Sequence, residues 1–244
     1  MQKTVLIIHG WPQPIGEDHR IHRYFREKGF WVCCPYLFKM EGEFSSDGVK
    51  KMLIGALEGK SPDVIVGVSI GGLLVPSVAL DYPRAKLVFV SSGTRFSPKN
   101  WFVKYGPRLC RIGMIKLVKS LDEKLLLRVY RLINPNRIKT KDECQSDGEL
   151  LSNMERVLEL PDDRIREITD FISKTNNRKL LTKIENRAVI FSGDSDSIMP
   201  YRQGKKMNRL IKNSRFFVLK GKHHDLINNE LLKILDDFLE DSLS

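Results

Sequence analysis

Cysteine is scarce. The chain has four in 244 residues, Cys33, Cys34, Cys110 and Cys144. None of them forms a C-x-x-C or pairs with a histidine at metal-ligand spacing, which argues against a metal site and fits a reducing compartment. Cys33 and Cys34 read as strand filling. Long hydrophobic runs are missing too: nothing approaches the roughly 18 consecutive apolar residues of a membrane span. The early apolar stretch "TVLIIHG" is too short and wrongly flanked for a signal peptide, so a cytoplasmic location is expected. The absence of any internal repeat, low-complexity tract or long linker excludes a solenoid. Acidic residues fall short of basic ones, 30 against 41, leaving a formal charge of +11. Such an excess suits an anionic partner (nucleic acid, lipid headgroups or an acidic substrate) or serves solubility alone. No nucleic-acid-binding motif accompanies it.

What the chain does have is alternation. With 41% hydrophobic and 29% charged residues it reads as one globular α/β unit with room for an inserted subdomain. Short β-rich runs bounded by turn residues fall at Thr4–Ile8, Phe30–Cys34, Asp63–Val68, Lys86–Val90, Ala188–Phe191 and Arg215–Leu219. Between them, Glu17–Lys28, Ser46–Leu57, Ile70–Tyr82, Tyr201–Lys212 and Asp225–Leu239 carry apolar residues at helical spacing. Strands that are apolar throughout, alternating with helices, predict a parallel sheet covered on both faces. Pro76, seven residues into its predicted helix, is expected to remove a hydrogen bond and kink it.

Between Gly93 and Arg187 the alternation stops and only helical patterns remain. "SPKNWF" offers Ser97 as N-cap with Pro98 at the first helical position. "SLDEKLLLRVYRLINP" offers a Ser120/Glu123 capping box and a stop at Asn134-Pro135, and "PDDRIREITDFI" starts a further helix. The stretch reads as an insertion after the fourth strand. Residues 1–94 and 187–244 form the expected core and 95–186 the expected insertion.

The stretch "VIVGVSIGGLLV" places Ser69 within G-x-S-x-G-G, after the third strand and before a helix. Gly67 and Gly71 there permit a sharp turn and close approach of strand and helix, lifting the serine hydroxyl clear of the sheet edge. A serine attacks only when a base removes its proton, so a histidine oriented by a carboxylate must lie nearby. "VIFSGDSDSIMP" supplies Asp194 and Asp196 after the fifth strand, and "FVLKGKHHDL" supplies His223 and His224 after the sixth. "LIIHGWP" ends the first strand with His9-Gly10-Trp11. A tight turn there can aim the Trp11 N–H at developing negative charge, with the Ile70 N–H as second donor.

"HGW", "GVSIGG", "GDSDSIMP" and "GKHHD", in this order, resemble the α/β-hydrolase superfamily over nearly the whole chain. The resemblance implies a parallel six-stranded sheet in the order 2-1-3-4-5-6, a helical cap formed by the insertion, and ester or thioester hydrolysis without a cofactor. Matching the superfamily's G-x-x-D-x-x-x-P pattern assigns Asp196 as the acid, with Asp194 the runner-up. Matching its G-x-x-H pattern assigns His224. Members often have glycine where this chain has His223, and the two leading antiparallel strands of larger members are not expected here, the first predicted strand being the one before the oxyanion loop. With its helical insertion it is similar to small carboxylesterases, including the methyl ester esterase of biotin synthesis. Serine at the elbow argues against the dehalogenase and epoxide-hydrolase branches, which use a carboxylate.

Other residues have plainer readings. His19 and His22 sit three apart on one helix face without a third ligand, and Trp101 and Phe102 read as insertion core. A competing function rests on charge. Arg95, Lys99, Lys104, Arg108, Arg111, Lys116, Lys119, Lys124, Arg128, Arg131, Arg137, Lys139 and Lys141 are opposed within their span by Asp122 and Glu123 alone. Interleaved with Met114, Ile115, Leu117, Val118 and Leu121, they suggest an amphipathic surface for an anionic membrane, a carrier or nucleic acid.

Overall fold

The computed structural model describes residues 2–11, 14–99, 104–105, 114–133, 147–222 and 224–241. Six strands form one parallel sheet: β1 (Thr4–Ile8), β2 (Trp31–Cys33), β3 (Val64–Val68), β4 (Lys86–Val90), β5 (Ala188–Gly193) and β6 (Ser214–Leu219). Their order is β2-β1-β3-β4-β5-β6, as expected. Parallel pairing runs from Val5 opposite Val64, through Gly67 opposite Phe89, to Phe89 opposite Ile190.

Successive side chains of a strand leave opposite faces, so an unbroken apolar strand feeds two cores. Leu6, Ile8, Ile65, Leu87, Phe89 and Ile190 join one buried cluster, and Val5, Ile7, Val66, Val88, Val189 and Phe191 the other. The second cluster is closed by α1 (Arg20–Glu27), through Ile21 and Phe25, and by the C-terminal helix Asn229–Glu240, through Leu231, Leu235 and Phe238. The first is closed by α2 (Ser46–Ala56) and α3 (Val75–Ala79), with Met207 of helix Tyr201–Leu210. No helix among the described residues is long and apolar enough to cross a membrane.

The predicted helix from Ile70 to Tyr82 is two elements. Ser69–Leu73 is a 3-10 turn and α3 begins at Val75. Pro76 therefore lies in the first turn of α3, where its missing N–H would have no intrahelical acceptor anyway. In one continuous helix its ring would strike the Gly72 carbonyl. The expected kink is thus a break between two helical elements, placed where proline is well tolerated.

Between β4 and β5 the described elements are helices: α4 (Met114–Lys119), α5 (Glu123–Ile133), α6 (Asp147–Leu158), α7 (Asp162–Lys174) and α8 (Arg178–Leu181). Two cap predictions fail there. Ser97–Lys99 is not helical, and the Lys99 N–H instead donates to the Ser197 carbonyl at 2.7 Å. Asp122, not Ser120, caps α5, accepting the Leu125 N–H at 2.8 Å; the Ser120 hydroxyl turns back to Leu117 O. A carboxylate one residue before the helix outcompetes a hydroxyl three residues before it. Trp101, Phe102, Arg108, Cys110, Arg111, Asn134, Pro135, Arg137, Lys139, Lys141 and Cys144, with the side chains of Met114 and Arg131, lie outside the described residues.

Of these helices, α7 rests on the loop after β2. The Arg164 guanidinium donates to the Met40 and Gly42 carbonyls, and Phe44 meets Phe171 edge-on at 5.6 Å. Lys119 does not reach outward with its neighbours. It is half-buried and donates to Leu160 O at 2.8 Å and Asp162 at 2.6 Å, tying α4 to the start of α7 and holding the Asp162 carboxyl below its ordinary range.

Candidate active site

The carboxyl ends of β1, β3, β4, β5 and the loop after β6 converge on one point. At the end of β3 the chain turns so sharply that Ser69 has φ +53°, a left-handed conformation that costs a non-glycine residue about 1–3 kcal/mol. The glycines flanking it make the turn possible. A Cβ on Gly67 would lie 2.5 Å from Gly72 Cα, and one on Gly71 2.1 Å from Ile8 O. Ser69 is thereby held against the end of β1: a Cβ added at Gly10 would come within 3.0 Å of Ser69 Cβ.

Ser69 Oγ is 2.8 Å from His224 Nε2, and His224 Nδ1 is 2.8 Å from Asp196 Oδ2. Because a carboxylate only accepts, Nδ1 carries the proton and Nε2 is left to accept from the serine hydroxyl. Asp196 is 1% exposed. Its other oxygen accepts the Ile198 and Met199 N–H groups, each at 2.8 Å, so the buried charge is fully bonded and fixed in direction.

The runner-up carboxylate lies elsewhere. Asp194 accepts from the Ser195 hydroxyl at 3.1 Å and from backbone N–H groups of Gly221 and Lys222. Partial burial alone would raise its pKa, but these donors outweigh it and hold the carboxyl below the ordinary carboxylate range. Neither aspartate caps the helix after Pro200, which has no side-chain cap. His223 lies outside the described residues. His19 caps α1, its Nδ1 accepting from the Ile21 N–H at 3.3 Å, and its pKa is lowered by burial.

At the end of β1 the buried His9 uses both ring nitrogens. Nε2 accepts the Leu37 N–H at 3.0 Å, and Nδ1 donates to the Gly10 carbonyl at 2.7 Å. With that carbonyl turned to the imidazole, the planar trans peptide points the Trp11 N–H away from it. Trp11 itself packs edge-on against Phe38 at 4.8 Å.

The fold is shared with solved proteins. An enzyme from a Medee basin deep-sea metagenome library, described as an alpha/beta hydrolase, superposes with TM-score 0.77 over 100% of this chain and 91% of its own, at 17% identity. A thermophilic esterase from Thermogutta terrifontis gives 0.71 over 98% and 89%, at 18%. The chain has the α/β-hydrolase fold. In sequence, a pimeloyl-[acyl-carrier protein] methyl ester esterase of Neisseria meningitidis serogroup B is 23% identical over 192 residues, 78% of this chain and 70% of that protein. A scan against protein-family models gives no match.

Within this α/β-hydrolase fold, motif reading brings Ser69, Asp196 and His224 together but misses Ser91. That residue directly follows β4 with φ +49°, is fully buried, and donates its hydroxyl to the His224 backbone carbonyl at 2.5 Å. The one available signal was a second serine closing the strand beside β3.

Proposed function

We propose that the protein is a serine hydrolase cleaving a carboxylic ester or thioester. The observation that carries this is the unbroken hydrogen-bonded line from Ser69 through His224 to a buried, fully bonded Asp196. In this reading Ser69 Oγ attacks the acyl carbon while its proton passes to His224 Nε2, and Asp196 stabilises the imidazolium and keeps the ring turned. The tetrahedral oxyanion is met by the Trp11 and Ile70 N–H groups. The Gly10 carbonyl locked to His9 and the closeness of Gly10 to Ser69 support the first donor. His224 then protonates the departing alcohol or thiol, leaving an acyl-Ser69 ester. Water, deprotonated by the same Nε2, attacks that ester, and Ser69 recovers its proton as the carboxylic acid leaves.

Residues 95–186 act as a helical cap on the core formed by 1–94 and 187–244. The cap's hold on the loop after β2, through Arg164 and Phe171, supports this division. The Neisseria relative is named for an ester carried on an acyl carrier protein. Together with the +11 charge and the exposed Lys116, Lys124 and Arg128, this favours an acyl substrate presented on an anionic carrier. A panel of aryl esters and acyl thioesters of graded chain length tests the reading. Turnover is expected on some members and is abolished in Ser69→Ala; full turnover by that variant would overturn it.

A further inference from the structure

His224 does not sit on a helix or strand. It lies between β6 and the C-terminal helix, where residues 220–222 and 224–228 are irregular, yet its ring makes two 2.8 Å hydrogen bonds in opposite directions. A ring can be held so only if its backbone is held too. Backbone ties fix the near end of the segment: the Lys222 carbonyl accepts from the Ser195 N–H at 3.1 Å, and Asp194 takes the Gly221 and Lys222 N–H groups. At the histidine itself the bond is from Ser91, at 2.5 Å.

We propose that Ser91 is a positioning residue for catalysis, clamping the His224 main chain so that Nε2 faces Ser69 and Nδ1 faces Asp196. The inference rests on the serine-hydrolase reading. Three observations carry it. The Ser91 hydroxyl is fully buried and its bond to the His224 carbonyl crosses from the sheet to the loop. The Ser91 N–H still donates to Phe191 O at 3.0 Å, so the residue is rooted in the β4–β5 ladder. Its backbone is held in the left-handed region, with φ +49°, where glycine would be easier. Local strain of this kind persists only where the surroundings impose it. Here a side chain is retained that glycine cannot supply. The strands β3 and β4 are thus each followed directly by a left-handed serine, one reaching the imidazole and the other the carbonyl of the same histidine.

Ser91→Ala and Ser91→Gly separate positioning from plain stability. Both remove the hydroxyl, but glycine relieves the backbone strain and alanine keeps it, so the two variants differ in melting temperature. A positioning role predicts that both lose kcat by about 10- to 100-fold, to a similar extent, with KM within about twofold of wild type. Fluorophosphonate labelling of Ser69 should slow in parallel. Undiminished kcat in a folded Ser91→Gly, a rise in KM alone, or losses that track melting temperature would each overturn the proposal. If Ser91→Ala does not fold, Ser91→Gly decides by itself. Ser69→Ala runs alongside: activity surviving there sinks the hydrolase reading, whereas inactivity there with full activity in Ser91→Gly sinks only the positioning role.

Discussion

Two aspartates two residues apart, Asp194 and Asp196, have different partners, and each predicts a different phenotype. Asp196 spends one oxygen on His224 and the other on two backbone N–H groups. In Asp196→Asn an amide replaces the acceptor that fixes the imidazole tautomer, and kcat should fall by about 10⁴-fold with the fold intact. Asp194 bonds to Ser195 and to the loop after β6, so Asp194→Asn should keep most activity and lose stability instead. The sign follows from its depressed pKa: the folded state favours the ionised form, so the stabilisation is complete above the ordinary carboxylate range and disappears as pH falls through the folded value. Melting curves of wild type and Asp194→Asn should therefore lie apart at pH 7 and converge in strong acid. The opposite assignment of activity loss would exchange the two roles.

At the scale of elements, the turn from Ser69 into α3 makes a prediction of opposite sign to the one periodicity suggests. A proline in the middle of a helix costs about 3 kcal/mol, so its replacement would stabilise. In the first turn of α3 it only stiffens the unfolded chain, and Pro76→Ala should lower stability by about 0.4–1 kcal/mol in denaturant titration. A rise in stability would restore the continuous helix. Strand positions were legible because the central strands are largely apolar runs whose alternate residues fill two cores, while their order was what the resemblance to the α/β-hydrolase superfamily implied. At the site, glycine spacing and motif order pointed to Ser69 and to the pairs Asp194/Asp196 and His223/His224, and the resemblance to the superfamily singled out Asp196 and His224. What stayed hidden depends on distance rather than pattern. Apolar spacing persists across the 3-10 turn and so conceals the break before Pro76. Ser91 and His224, and Lys119 and Asp162, are far apart in sequence and meet only through the fold.

For the whole molecule the question is what the positive charge does. Lys119 is engaged within the helical stretch, so only outward-facing residues such as Lys116, Lys124 and Arg128 can draw an anionic carrier. At about 0.15 M salt the Debye length is roughly 8 Å, and steering over longer distances is lost while contacts inside the site persist. kcat/KM for an anionic acyl substrate should fall with salt and with Lys116→Glu/Lys124→Glu, leaving a neutral short-chain ester nearly unaffected. Equal salt slopes would leave the basic surface without a role in delivery, and with it the competing reading of a membrane- or nucleic-acid-binding protein.

A fluorophosphonate probe reads directly whether Ser69 is a nucleophile activated by His224. An activated hydroxyl displaces fluoride from the phosphorus and keeps the phosphonyl group, so mass mapping of the labelled protein locates it. The account predicts one adduct, on the peptide containing Ser69, absent in Ser69→Ala and formed far more slowly in His224→Ala. No adduct on the folded protein, or labelling undiminished in Ser69→Ala, would contradict it.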